Sequence, residues 1–205
     1  MAGTYTDSRD STVYTTETYN GVEWFTENFR YLPSIGSGVY VYDYFGTDKS
    51  EASLEANYTT YGALYSYAKA LELCPAGCRL PDDEDWKRLE IASGMFYNMA
   101  DFFFYRGTDR EGYLMKTETG WFRDGGGDNS TGFGVLPGGS VSGNIHTGLT
   151  RVALFWTASD RQKLTATVAT GDGNAVLRGF AFDCDGIYRM GYPINSGLSV
   201  RYIVE

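Results

Sequence analysis

Three features of the sequence predict an α+β fold. Two β-branched and aromatic runs flank Asn20-Gly21, an apolar period of helical spacing runs through residues 61–94, and glycine turns separate short strand-like runs beyond residue 95. Asn-Gly between such runs is the strongest short hairpin signal, so Thr12–Thr16 and Val22–Phe25 are expected to pair. Val39–Tyr42, after Gly36-Ser37-Gly38, reads as another short strand. Leu64, Tyr67, Ala68 and Leu71 are spaced i, i+3, i+4, i+7, one face of a helix ending before Pro75 and Gly77. A second helix is expected just after Leu80-Pro81. Asp82 and Asp83 are its N-cap candidates, Glu84 and Asp85 suit its positive first turn, and Trp86 and Leu89 begin its apolar face. Gly94 is its stop. No further helix is expected beyond about residue 95, and residues 124–134 must be a loop. Val152–Trp156, Ala166–Ala169, Ala175–Phe182 and Leu198–Val204 are the late strands. The two helices are thus bracketed by strands.

With 205 residues, no repeat and no linker, the chain is expected to be a single domain over 1–205, large enough to bury a core without disulfides or metals. Seventeen Lys and Arg against 26 Asp and Glu give a net charge of −9, which argues against nucleic acid, whose phosphates need clustered cations. No apolar run approaches the ~18 residues a membrane helix needs, so membrane insertion is not expected. The first residues carry neither a basic nor an apolar leader segment. Glycine, 26 of 205, is well above the usual ~7%, and the 17 tyrosines suit either strands or a recognition surface.

Cys74, Cys78 and Cys184 are odd in number, so at least one thiol is free or pairs between chains. His146 is the single histidine and lies in a glycine-flanked stretch that reads as a surface loop. A zinc site would need four ligands, and nothing stands at metal spacing around His146. The acids Asp183, Asp185 and the Asp124–Asn129 stretch lack the third acid and closing Glu of a calcium loop, and are read as turn residues. No metal and no cofactor is expected.

Tyr61-Gly62-Ala63-Leu64-Tyr65, Cys74-Pro75-Ala76-Gly77-Cys78-Arg79-Leu80-Pro81 with Trp86, Leu136-Pro137-Gly138-Gly139, Phe155-Trp156-Thr157-Ala158-Ser159 and Gly197-Leu198-Ser199-Val200-Arg201 occur in that order. This set resembles the Fibrobacter succinogenes major paralogous domain family across nearly the whole chain. The resemblance implies a C-type-lectin-like fold, related to the formylglycine-generating enzymes, with two helices and short, mostly antiparallel strands. Two positions depart from the family pattern: Cys78 stands where a Trp is usual, and Tyr202 where the terminal Cys is usual. The family's usual disulfide therefore lacks a partner at Tyr202.

The same C-terminal pattern is similar to the variable proteins of diversity-generating retroelements of phages and bacteria. That likeness implies a ligand-binding segment at about 156–196. Trp156, Phe180, Phe182, Ile187, Gly197, Val200 and Arg201 would be framework. Asp183, Asp185, Tyr188, Arg189, Met190, Tyr192 and Asn195 would be display positions. Tyr and Arg are hot-spot residue types and Met packs adaptably; the segment itself has neither a helical nor a strand period. The expected function is non-catalytic binding of a macromolecule, protein or cell-surface glycan, outside the cell or on a virion. The alternatives are a non-diversified surface or structural adhesion module and, more weakly, an enzyme of the formylglycine-generating type.

Overall fold

The computed structural model describes residues 2–107, 110–158 and 173–205. The fold is mixed α+β and its sheets are mostly antiparallel. β1 (Gly3–Thr6), β2 (Val13–Tyr19) and β3 (Val22–Phe25) form an antiparallel meander. Asn20 and Gly21, with φ of 48° and 79°, make the tight turn that their sequence predicts. β4 (Val39–Tyr40) pairs with β5 (Leu64–Tyr65). Between them lie α1 (Lys49–Ala52), capped by the Asp48 side chain, and α2 (Ala56–Tyr61).

The first expected helix is displaced. Leu64 belongs to β5, and α3 (Tyr67–Glu72) starts only after Ser66, whose Oγ accepts from the Lys69 amide. Ala70 and Leu73 face the core, whereas Ala68 and Leu71 are exposed. The apolar spacing from Leu64 thus ran across a strand–helix boundary. β6 (Cys78–Arg79) leads to α4 (Asp83–Ala92), the second expected helix. Asp82 is its N-cap, and Asp85 completes a reciprocal capping box. After 3₁₀ turns and β7 (Phe104–Arg106) comes α5 (Glu111–Met115), a helix where none was expected. Its five residues are too few to establish a periodic signal.

The second half supplies β8 (Gly138–Ser142), β9 (Ile145–Leu149), β10 (Val152–Trp156), β11 (Asn174–Ala181), β12 (Ile187–Pro193) and β13 (Ile203–Val204). His146 is therefore in a strand, not a loop, and residues 187–193 are a strand although their sequence has no period of 2. β12 is fixed by pairing on both sides, with β11 and with β7, which overrides its mixed local pattern. Of Leu198–Val204 only the last two described strand residues form β13, the rest crossing between sheets through single bridges. The expected strand Ala166–Ala169 lies outside the described residues.

One sheet has the order β1-β2-β3-β13-β6, bringing the two ends of the chain together; a second has the order β7-β12-β11-β10-β8-β9. Strand alternation on β10 then divides the interior. Trp156 joins Phe25, Phe29, Tyr65, Leu177 and Tyr202 in one apolar cluster. Phe155 joins Trp24, Trp86, Phe133, Phe180 and Ile187 in the other. Trp24 and Trp86 meet edge-to-face at 5.0 Å, the favoured geometry for rings of this quadrupole.

Candidate functional site

The C-terminal segment is built on β12, whose residues alternate between two faces of the sheet. Ile187 and Arg189 point toward α4 and the second cluster; Tyr188, Met190 and Tyr192 are on the opposite face and half-buried. Asp183 and Asn195, before and after the strand, are exposed. Met190 and Tyr192 pack partly against the first cluster, and Tyr192 lies edge-on to Trp156 at 6.5 Å. Tyr188 meets Tyr105 at 5.5 Å. Every expected framework residue is buried except Phe182, which is half-buried and packs edge-on against Phe122 at 5.3 Å. Trp156 Nε1 also donates to the Tyr65 carbonyl at 2.7 Å, tying β10 to β5.

Arg189, expected at the surface, is buried instead. It is only 4% exposed, and its guanidinium is fully engaged. Nε donates to Asp83 Oδ1 at 2.8 Å, Nη2 to Asp83 Oδ2 at 2.5 Å and Nη1 to the Asp101 carbonyl at 2.8 Å. Such a bidentate pair fixes orientation as well as charge. Arg189 is thus buried and paired rather than exposed.

The register explains this arrangement. Arg178 on β11 stands directly opposite Arg189 on β12, a like-charge pair that would oppose sheet formation. α4 supplies the counter-charges from one face. Asp83 Oδ1 also accepts from Arg178 Nη2 at 2.9 Å, while Glu90 Oε1 accepts from Arg178 Nε at 2.7 Å and from Arg106 Nη2 at 2.6 Å. Asp83 and Glu90 are seven residues apart, two helical turns, so both carboxylates reach the sheet. Burial alone would raise the Asp83 carboxyl. The charges and hydrogen bonds of Arg178 and Arg189 outweigh it and hold the group well below the usual carboxylate range. Burial also lowers Arg106, although Glu90 opposes that.

Further residues position the segment, among them Lys116, which no sequence signal announces. Buried Lys116 reaches the carbonyls of Gly125, Ala181 and Cys184 at 2.9, 3.2 and 3.0 Å and Asp185 Oδ1 at 3.0 Å. Its ammonium thereby holds the glycine-rich loop against the turn that precedes β12. That loop is pinned from its other side, because Gly127 and Asp128 donate to the Thr117 and Tyr113 carbonyls, and a Cβ on Gly127 would collide with backbone. Asp128 and Asn129 accept from the amides of Ser130 and Gly134, so they serve as turn residues. Arg201 is fully buried and, among the described residues, has no carboxylate partner; it donates to Asn28 Oδ1 and to the carbonyls of Phe133 and Gly134. Burial pulls its pKa down to about 9.

Cys74, Cys78 and Cys184 are free thiols. Burial pushes Cys74 up to about 12 and Cys78 up to about 11. His146 Nδ1 accepts from the Asp43 amide at 2.8 Å, and burial lowers its pKa. Among the described residues no three His, Cys, Asp or Glu side chains are grouped to hold a metal, and no helix is long and apolar enough to cross a membrane.

Residues 18–204 match the sequence model of the Fibrobacter succinogenes major domain. The chain belongs to this family. No curated protein and no solved structure matches it. The family match includes α4, the Arg–Glu–Asp cluster and the whole of the β12 segment, so the site lies within the Fibrobacter domain itself.

Proposed function

We propose that this chain is a non-catalytic, extracellular or virion-borne binding protein that presents a variable C-terminal surface, diversified by a retroelement, on a C-type-lectin-like scaffold. The observation that carries the reading is the division of β12. Ile187 and Arg189 are locked inward, while Tyr188, Met190 and Tyr192 form a half-exposed row between exposed Asp183 and Asn195. Substitutions in that row leave the charged cluster beneath it intact, which is what a surface that must vary requires. The pairing of early strands with β13 supports the lectin-like scaffold. Tyr and Met in such a row supply large contact area at low ordering cost, suited to a protein or a cell-surface glycan.

The thiols are poor nucleophiles at neutral pH because burial disfavours the thiolate, and the lone imidazole is occupied by a backbone amide. Both points support binding without chemistry. Sequencing the gene and its surroundings in related isolates tests the reading. Substitutions should concentrate at adenines in the codons for Asp183, Tyr188, Met190, Tyr192 and Asn195, beside a reverse-transcriptase gene and a near-copy of the 3′ end. Substitutions spread evenly over inward and outward residues, with no such gene nearby, would contradict it.

A further inference from the structure

Cys74 and Cys78 flank Pro75-Ala76-Gly77 at the connection from α3 to β6. Pro75 cannot extend α3, and Gly77, with φ of 72°, reverses the chain. The Cys78 amide donates to the Pro75 carbonyl at 3.1 Å and closes the turn. The reversal places Cys74 against Cys78. Cys74 Sγ donates to the Cys78 carbonyl at 3.1 Å, and both half-buried side chains pack against the first apolar cluster. Burial is the main cause of the raised Cys74 pKa and the neighbouring Cys78 thiol is the next, as expected of two sulfurs that stand close. Cys184 sits elsewhere, in the turn before β12, where its thiol neighbours Tyr188.

Both ends of the chain are tied to this turn. Tyr5 of β1 donates its hydroxyl to the Ala76 carbonyl at 2.7 Å, the Glu205 amide donates to the Gly77 carbonyl at 2.9 Å, and Cys78 stands opposite Val204 on β13. The turn also has room to adjust, since a Cβ on Gly77 would meet nothing within 4 Å. A disulfide needs its two Cβ atoms about 3.5–4.5 Å apart. Cys74 reaches that geometry by leaving the Cys78 carbonyl for the Cys78 sulfur, a movement within the turn.

We propose that Cys74 and Cys78 are a modification site, closing into a disulfide when the chain meets a small-molecule disulfide such as oxidised glutathione. One thiolate attacks the reagent and releases its first thiol; the second thiolate attacks the resulting mixed disulfide and releases the other. Two protons and two electrons leave the protein, and the reagent is reduced to two thiols. Cys78 is the first attacker, because burial raises it less than Cys74. Burial also slows the reaction in the folded chain, so closure is fastest before the turn has packed. The closed ring fastens α3 to β6 and, through the contacts of the turn, to β1 and β13. None of these residues lies in segment 156–196, so the proposal is independent of the binding reading above.

Wild type and a Cys184→Ser variant, both full length, test it. Each is unfolded in reductant and refolded into a mixture of reduced and oxidised glutathione at mildly alkaline pH; a second portion is incubated in that mixture already folded. Trypsin cuts after Lys69 and Arg79, so both cysteines fall in one peptide, residues 70–79. Ring closure leaves that peptide two hydrogens lighter and unreactive toward iodoacetamide. Refolded wild type should keep one reactive thiol of three, Cys184. The prefolded chain should reach the same state about tenfold more slowly, because burial lowers the thiolate fraction. In the Cys184→Ser variant the closed form should melt a few degrees above the reduced form, since the ring restrains the unfolded chain. Three reactive thiols after both treatments, glutathione held on Cys74 or Cys78 without closure, or a bond from peptide 70–79 to Cys184 or to a second chain would overturn the proposal. So would a closed form that melts below the reduced one, since the native turn would then exclude the ring.

Discussion

Glu90→Gln is expected to be among the most damaging near-isosteric substitutions in this protein. Glu90, Arg106 and Arg178 have fully buried side chains, and Glu90 Oε1 receives hydrogen bonds of 2.6 and 2.7 Å from the two guanidinium groups. Arg106 and Arg178 share Glu90, and the substitution removes that negative charge from beside two guanidinium groups that have no access to water. A hydrogen bond to a charged group contributes about 1.5–3 kcal/mol, and glutamine retains a neutral acceptor that recovers part of two of them. Removing one partner of a buried ionic group costs about 3–5 kcal/mol, in agreement with that sum. At about 2–4 °C per kcal/mol for a chain of this size, the melting temperature should fall by about 6–20 °C. Equilibrium unfolding in guanidinium chloride, followed by fluorescence of the buried tryptophans, gives the free energy directly. A Glu90→Gln/Arg106→Met double variant should recover part of the loss, because it also removes a stranded cation. A single variant within about 0.5 kcal/mol of wild type would refute the claim that this cluster fastens α4 to the sheet.

Lys116→Met should destabilise by about 2–4 kcal/mol, since it leaves three carbonyls and Asp185 without their cation, and calorimetry measures this. Excess chelator should leave the melting temperature of the wild type unchanged; a fall would show a bound divalent ion. His146 accepts the Asp43 amide through an unprotonated nitrogen and its folded pKa is lowered, so the neutral form is favoured by folding. Its contribution is full above the ordinary value of 6.5 and is lost as pH falls below it. Nuclear magnetic resonance should give a His146 midpoint under 6.5, with the Asp43 amide shifting in step; a midpoint above 6.5 would contradict the hydrogen bond.

The parts of the fold that were legible in the sequence are those that local chemistry decides. The Asn20-Gly21 hairpin, the Asp82 cap of α4 and the runs at 152–156 and 175–182 each carry their signal within a few residues. α3 was misplaced because Leu64, on β5, happens to continue the helical spacing of Tyr67 and Leu71. α1, α2 and α5 have four to six residues each, too short for a period, and tertiary contacts stabilise them. At the site, the family likeness, seconded by residue type, marked Tyr188, Tyr192 and Arg189 as display positions. Only the β11–β12 register reveals that Arg189 shares Asp83 with Arg178 and faces inward. A trace of that pairing exists in the sequence: Asp83 and Glu90 share one face of α4 with Trp86, acids where apolar residues would be expected. Lys116 left no such trace, because its partners are mostly backbone carbonyls, which any residue type supplies.

On the proposed reading, β12 separates a variable surface from a fixed scaffold. The direct measurement is a denaturant melt of a variant with Asp183→Ser, Tyr188→Thr, Tyr192→Thr and Asn195→Ser together, beside melts of Arg189→Met and Trp156→Ala. The substituted side chains are exposed or half-exposed and threonine suits a strand, so the fourfold variant should lose no more than about 2 kcal/mol in total. Arg189→Met should lose about 3 kcal/mol through the Asp83 pair, and Trp156→Ala about 3–5 kcal/mol through the cavity it opens. A fourfold variant that unfolds while Arg189→Met and Trp156→Ala keep wild-type stability would contradict the claim and make the outward row the core.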